Sequence, residues 1–502
     1  MLTDIESQSQ IQRNAHQSGN PVKRAHLLIG GAEKAARDGK SFERIGPISN
    51  AVITIAAAAS PDDAREAVDA SAAALAQWSA TGPAGRRLAL QRAADALDAQ
   101  REAIVASMMA ETGAARSWAQ FNIKLGCELL REAAAMTTQL TGDVIPSDTA
   151  GSLSIATRQP WGVCLGIAPW NAPIILFVRA FAMPLACGNT VVVKASEMCP
   201  GTHFLIAKAM QSALPPGVLN LVSHAQEDAA AVVQALISHD AVRHINFTGS
   251  SHVGRIIGRQ AGELLKPVLL ELGGKSPTIV LEDADLDEAV DATAFGAFMH
   301  QGQICMATGR VVVVESIADE FVARLAKKTA TLKAGDPSSG APLGAMIGER
   351  AAQRIDRLIA DAVARGAVVK AGGPGEGVYR DACLLDHVTP DMEIYHAEAF
   401  GPVLPVVRVA DDSEAVRVAN DTEYGLSAAI FSRDIKRAFS VSRQIESGIC
   451  HINGPTIQDE AQIPFGGIKA SGHGRFGGKG GVEAFTYLRW TTVDTEKPHY
   501  PF

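Results

Sequence analysis

In the stretch His300 to Arg310, HQGQICMATGR, one cysteine stands among small and polar residues, with the apolar run Val311 to Val314 directly behind it. A thiol so placed is a candidate nucleophile, and Cys305 is that candidate. A free thiol has a pKa near ~8.5 and is only slightly ionised at neutral pH, so a catalytic cysteine needs dipoles, a cation or a base beside it. Without them an unpaired cysteine packs as a small hydrophobe. The seven cysteines (127, 164, 187, 199, 305, 383, 450) are odd in number, dispersed and without a CxxC pair, so reduced thiols fit better than disulfides, zinc or a redox dithiol. His300 lies close to Cys305 in sequence, but no Asn or Asp partner is evident, which weighs against a cysteine hydrolase. Two other polar residues wait on context: Asn171 alone reads as a turn asparagine after Pro169 and Trp170, and Glu271 alone as a solvated acid at a helix end.

The elements that must position these groups follow from the chain in order. Residues 1 to 24 read as a mobile arm, and His26 to Gly31 begins the first apolar run. Ser60-Pro61-Asp62-Asp63 combines a cap, a proline at the first helical position and two acids, which predicts a helix start. Pro83 opens another, and Arg86 to about Met136 reads as two or more amphipathic packing helices. Gly142 to Thr157 loses helical period and predicts strands standing apart from the core. From Pro160 short apolar runs alternate with helical segments: GVCLGIAPWN, TVVVKASE, GVLNLVSH, HINFTGS and PTIVLEDA. Val191 to Val193 is apolar on both faces, as a strand covered on each side requires, so an α/β fold with a doubly wound parallel sheet is the economical arrangement. The GxGxxG fingerprint is absent; Gly249 and Gly254 are spaced too widely, and GSS after the HINFT strand is either a plain turn or a phosphate site at a helix start.

Several segments taken together resemble the aldehyde dehydrogenase superfamily. They are APWN (168–171), KASE (194–197), ELGGKSP (271–277), GQIC (302–305), EAFGPV (398–403), NDTEYGL (420–426) and PFGGIK (464–469) with Ser471-Gly472. The likeness runs from about residue 40 to the C-terminus. It implies an NAD-binding domain from about 25–137 and 161–273, a catalytic α/β domain from about 274–469, and a small β oligomerisation arm from 138–160 and 485–502. It also implies a homodimer or homotetramer. The implied catalytic set is Cys305 as nucleophile, Asn171 as oxyanion donor and Glu271 as base. The thiolate would form a thiohemiacetal with the aldehyde, and the thioester left by hydride loss would be cleaved by water. Lys194 and Glu197 would reach the adenine ribose, Gly249 and Ser250 the pyrophosphate, and Glu398 and Phe400 the nicotinamide ribose, with Ile167, Trp170 and Leu272 lining the cofactor. A carboxylate at Glu197 favours NAD over NADP, with NADP as the alternative if Glu197 swings aside.

For the substrate, the resemblance implies that the helix after the PWN motif lines the aldehyde tunnel, and here PWNAPIILFVRAFAMPLACGN places Ile175 and Arg179 four apart on one helical face. Arginine in an apolar tunnel implies an aldehyde bearing a hydroxyl, phenolate or carboxylate, unless it is salt-bridged within the fold. With NGPTIQDEAQIPFGG (453–467), this segment resembles aromatic aldehyde dehydrogenases of the vanillin, salicylaldehyde and benzaldehyde type; Ile304, Met306, Ile457 and Phe177 would wall the ring. An aliphatic aldehyde or semialdehyde is the alternative. A coenzyme-A-acylating relative lacks the glutamate found here at 271, and a non-catalytic relative would not need the Cys-Glu-Asn set. The remaining bounds are broad. A chain of 502 residues with 47% apolar and 20% charged residues and a net charge of -8 predicts two or three domains and no nucleic-acid partner. The N-terminus lacks an apolar signal core and no run reaches the roughly 18 apolar residues of a membrane span, which predicts a cytoplasmic protein with no membrane partner. The 13 histidines are scattered without a ligand pair, so no metal is expected.

Overall fold

The computed structural model describes residues 22–497 and 500–502. Most of the arm expected over residues 1 to 24 lies outside the described residues, and at its end Lys23 and Arg24 are already in a strand. The helix expected after Ser60 runs Pro61–Ala80, with Ser60 Oγ accepting from Asp63 N–H (3.3 Å) while the Asp63 carboxylate accepts from Ser60 N–H (2.8 Å), a reciprocal cap. Beyond Pro83 there are three helices, Pro83–Ala99, Arg101–Thr112 and Arg116–Met136.

The first large sheet has eight strands. Five are parallel, in the spatial order Val268–Glu271, Val242–Thr248, Val163–Ile167, Thr190–Lys194 and Leu219–Val222. Antiparallel strands close both margins: Gly472–His473 beside Val268–Glu271, and Leu27–Ile29 with Ala32–Lys34 beyond Leu219–Val222. Val191, Val192 and Val193 are fully buried, as helices on both faces demand. The strand order reverses between Val163–Ile167 and Val242–Thr248. At such a switch point successive connections leave to opposite faces, and a crevice opens at the carboxyl ends of the two strands. Here those ends carry Ala168-Pro169-Trp170-Asn171 and Gly249-Ser250.

PTIVLEDA, the last of the expected strand segments, departs from this sheet. Ser276–Val280 belongs to a second, seven-stranded sheet with Thr308–Val314, Val403–Val409, Cys383–Asp386, Ser427–Phe431 and Ile449–Ile452, all parallel, and an antiparallel edge at Val368–Ala371. A buried apolar run does not say which sheet receives it. The turn from Glu271, ending the first sheet, to Ser276, opening the second, is only Leu272-Gly273-Gly274-Lys275. A third antiparallel sheet joins Asp143–Ile145, Ser152–Pro160 and Thr486–Asp494. Among the described residues no helix is long and apolar enough to cross a membrane.

Candidate active site

Cys305 follows a turn in which His300 (φ 49°), Gln301 (φ 56°) and Gly302 (φ 68°) are all left-handed. Only the third is a glycine, and a Cβ there would stand 2.5 Å from the Gly401 carbonyl oxygen. Side chains on both sides clamp this costly backbone. Gln301 Nε2 donates to the Ala345 carbonyl (2.7 Å), and Gln303 Oε1 accepts from Ile347 N–H (3.0 Å). The Cys305 carbonyl lies where a Cβ on Gly274 would come within 2.4 Å, so the glycine pair of ELGGKS lets the two sheets' loops touch.

Around the sulfur, Glu271 ends the Val268–Glu271 strand and is buried, with neither carboxylate oxygen in a hydrogen bond. Desolvation pushes its pKa up to about 7, with the Cys305 thiol the strongest opposing influence although no well-formed hydrogen bond joins them. The thiol opens partly to the cavity. Desolvation first, and the Glu271 charge second, hold it well above the ordinary thiol value. The resting pair is therefore a neutral thiol beside a carboxyl group that can take its proton near neutrality. Asn171 Nδ2 donates one hydrogen to the Gln303 carbonyl (3.1 Å), which holds the amide at the nucleophile's loop and leaves its second N–H free. His300 is no base for this thiol. Its ring is buried and stacked on Trp118 (5.2 Å), both nitrogens lack partners, and burial pulls its pKa down to about 3.

Two cavities meet at Cys305, sharing only Asn171, Leu176 and Cys305 among their lining residues. One, of about 510 Å³, sits over the switch-point crevice and brings together Trp170, Gly249, Ser250, Glu271, Glu398 and Phe400. Ser250 is occupied as a cap, its Oγ accepting from Val253 N–H (3.4 Å), so what it turns outward is the helix start of Ser251–Glu263. Arg354 donates to the carbonyls of Glu398 and Ala399 (2.7 Å each), and Glu398 Oε1 accepts from Gly274 N–H (3.0 Å). Phe400 is left-handed (φ 51°) and packs edge-on to Trp170 at 5.8 Å. Lys194 and Glu197 lie off this cavity at the neighbouring strand end, Nζ 3.9 Å from Oε2. Ile167 and Leu272 are packed into the apolar layer beneath, so their side chains do not line it.

The other cavity, about 250 Å³, collects Ile175, Arg179, Ile304, Met306 and Ile457. Phe177, expected in this wall, points instead into the core against Phe181 and His203, because it lies two residues on from Ile175 and so on another face of the helix Pro173–Ala186. The wall contains residues that the sequence reading assigned only to packing or passed over: Trp118 and Phe121, three apart on Arg116–Met136 and stacked on each other at 5.5 Å, then Phe295, Met299 and Phe465. A helical aromatic pair was visible in the sequence, but not which cavity it faced. Arg179 does not stand alone. Its Nη2 is 2.7 Å from Asp459 Oδ2, both side chains are buried, and its guanidinium lies 4.4 Å from the Phe465 ring centroid.

A switch-point crevice ending at a helix start fits a dinucleotide, and an apolar cavity at the thiol fits a small apolar electrophile. The chain matches the model of the aldehyde dehydrogenase family over residues 34–491. It is 54% identical over 477 residues to a vanillin dehydrogenase of Pseudomonas sp. (strain HR199 / DSM 7063), covering 95% of this chain and 99% of that one. To a salicylaldehyde dehydrogenase of Pseudomonas sp. (strain C18) it is 47% identical over 479 residues, again 95% and 99% of the two chains. The crystal structure of a salicylaldehyde dehydrogenase from Pseudomonas putida G7 complexed with salicylaldehyde superposes with a TM-score of 0.94 at 46% identity, covering 96% of this chain and 100% of that one.

Proposed function

The chain belongs to the aldehyde dehydrogenase family, and from that premise we propose that it oxidises aromatic aldehydes to carboxylic acids, with NAD preferred as hydride acceptor. The family uses NAD or NADP. The observation that carries the reading is the position of Cys305, open on one side to an aromatic-lined cavity and on the other to the crevice that suits a dinucleotide.

Glu271 accepts the thiol proton, and the Cys305 sulfur bonds to the aldehyde carbon. The carbonyl oxygen becomes an oxyanion that receives the free Asn171 N–H and the Cys305 backbone N–H, each donor worth about 3 kcal/mol at the transition state. A bound nicotinamide dinucleotide supplies the hydride acceptor. Hydride loss leaves a thioester; Glu271 releases the thiol proton to solvent, takes a proton from the water that attacks the thioester, and returns it to the departing sulfur, so that the acid leaves and the thiol is restored. Glu398, fixed by Gly274 N–H, and the helix start behind Ser250 would hold the ribose and pyrophosphate. Glu197 accepts from ribose hydroxyls and repels a 2'-phosphate, which supports NAD.

Mixing protein, NAD and benzaldehyde without coenzyme A and following reduced-cofactor absorbance tests the reading. Turnover that needs coenzyme A, or that is seen only with hexanal or succinate semialdehyde, overturns it. A homodimer or homotetramer built through the third sheet is part of the same proposal, supported by the exposure of Val144, Leu488 and Trp490 on it.

A further inference from the structure

The loop that carries Lys194 and Glu197 is held from behind by a buried histidine. Ala195 N–H still donates to the Val222 carbonyl of the neighbouring strand (2.8 Å), but one residue on the chain leaves that ladder. The two peptide planes on either side of Ser196 then set where Glu197 points. The Ser196 carbonyl accepts from Cys199 N–H (3.3 Å), an ordinary turn, whereas Ser196 N–H donates to a side chain, His203 Nδ1 (3.1 Å). His203 is fully buried on the helix Pro200–Met210 and lines neither of the two cavities that meet at Cys305. Such a position is ordinarily filled by an apolar side chain, since a buried imidazole is costly unless its nitrogens find partners. With Nδ1 accepting, the ring hydrogen sits on Nε2, 3.6 Å from Cys199 Sγ. Burial first and the Lys194 charge second pull the pKa of His203 down to about 3, so Nδ1 stays free to accept near neutrality. The ring lies against Phe177 at 4.7 Å. Its helix is fixed in turn, because the buried Glu111 carboxylate accepts from Gly201 N–H (2.8 Å), Thr202 N–H (2.8 Å) and the Thr202 hydroxyl (2.6 Å).

We propose that His203 is a positioning residue for the adenine-ribose end of the cofactor site: by holding Ser196 N–H it fixes the direction of Glu197, and with it the preference for NAD over NADP. This rests on the reading above that Lys194 and Glu197 face the ribose, and His203 is the residue it adds. His203 acts only through the loop. Without its acceptor the buried Ser196 N–H has to turn to find another, Glu197 loses its set direction, and a 2'-phosphate meets less repulsion.

The test compares His203→Leu, which fills the volume without an acceptor, with His203→Asn, whose Oδ1 can stand where Nδ1 does. Calorimetry measures Kd for NAD, for NADP and for adenosine monophosphate, the last a probe of the ribose end alone. In His203→Leu, Kd for NAD and for adenosine monophosphate rises about tenfold, the scale of one lost buried hydrogen bond, and the preference for NAD over NADP falls. KM for NAD rises with it, while kcat at saturating NAD and KM for benzaldehyde stay within about twofold of the parent. His203→Asn returns the three dissociation constants toward the parent values. A merely structural role lowers Tm in both variants without separating them in cofactor affinity. If His203→Leu does not fold, His203→Phe takes its place, since it keeps a ring against Phe177 and has no acceptor. Leucine and asparagine variants with equal Kd for NAD, or a loss confined to kcat, overturn the proposal. Glu197→Ala tells the two ideas apart. If it leaves Kd for NAD unchanged, the ribose reading itself fails; if it weakens NAD binding while His203→Leu does not, only the role of His203 fails.

Discussion

At the scale of single residues the proposed chemistry divides between bond-making at Cys305 and proton transfer at Glu271. Cys305→Ala removes the only atom that bonds to substrate while leaving the crevice intact, so aldehyde oxidation is lost and NAD binding, read by calorimetry, persists. Asn171→Ala removes one oxyanion donor and lowers kcat by roughly 10²–10³, measured under saturating aldehyde. For Glu271 the sign of the pH effect follows from its raised pKa of about 7. Below that value it is protonated and takes no further proton, so kcat/KM falls on the acid side. In the folded state the charged form is disfavoured, a cost fully present above pH 7 that disappears as pH falls toward 4.5, the ordinary value. Glu271→Gln therefore raises Tm at pH 8, by an effect worth roughly 3 kcal/mol, and the difference from the parent shrinks by pH 5. The same variant has lost the acceptor of the thiol proton as well as the base for water, so NADH appears slowly and without a rapid burst, and a Tm difference that is flat with pH contradicts the assignment. The candidate triad was legible because its members stand in recognisable local segments. Asp459 was not, since nothing in QDEA says which of its acids turns inward to Arg179.

Among the elements, the left-handed turn before Cys305 decides where the sulfur sits. Gly302→Ala sets a Cβ against the Gly401 carbonyl at a backbone angle that side chains resist. It costs roughly 1–3 kcal/mol and displaces the thiol, and both effects are read together as a lower Tm and an altered rate of Cys305 alkylation by iodoacetamide. Sequence pattern located most elements well. The proline and cap at Ser60 marked a helix start, and the valine run at 191–193 marked a strand covered on both faces. What failed was assignment of direction: Phe177 read as a cavity wall. The cause is general. Apolar periodicity reports that a residue is buried, and a helix buried on all sides, as Pro173–Ala186 is, carries no polar stripe to say which face meets which neighbour.

For the whole molecule, the third sheet leaves Leu488 and Trp490 exposed on a long strand, an arrangement that asks for a covering surface. Trp490→Asp shifts the protein to a smaller species in sedimentation velocity; an unchanged sedimentation coefficient removes this face from assembly. The meeting of the two cavities at one sulfur has a consequence for the order of events. Glu271 opens onto the crevice and not onto the aromatic-walled cavity. In the proposed reaction an acyl group tethered to Cys305 would stopper its own chamber, so the cleaving water would be admitted from the opposite side, through space that a dinucleotide would fill. Such an enzyme would work as a lock with two gates and a shared sill: the far gate would have to clear before the near chamber could empty.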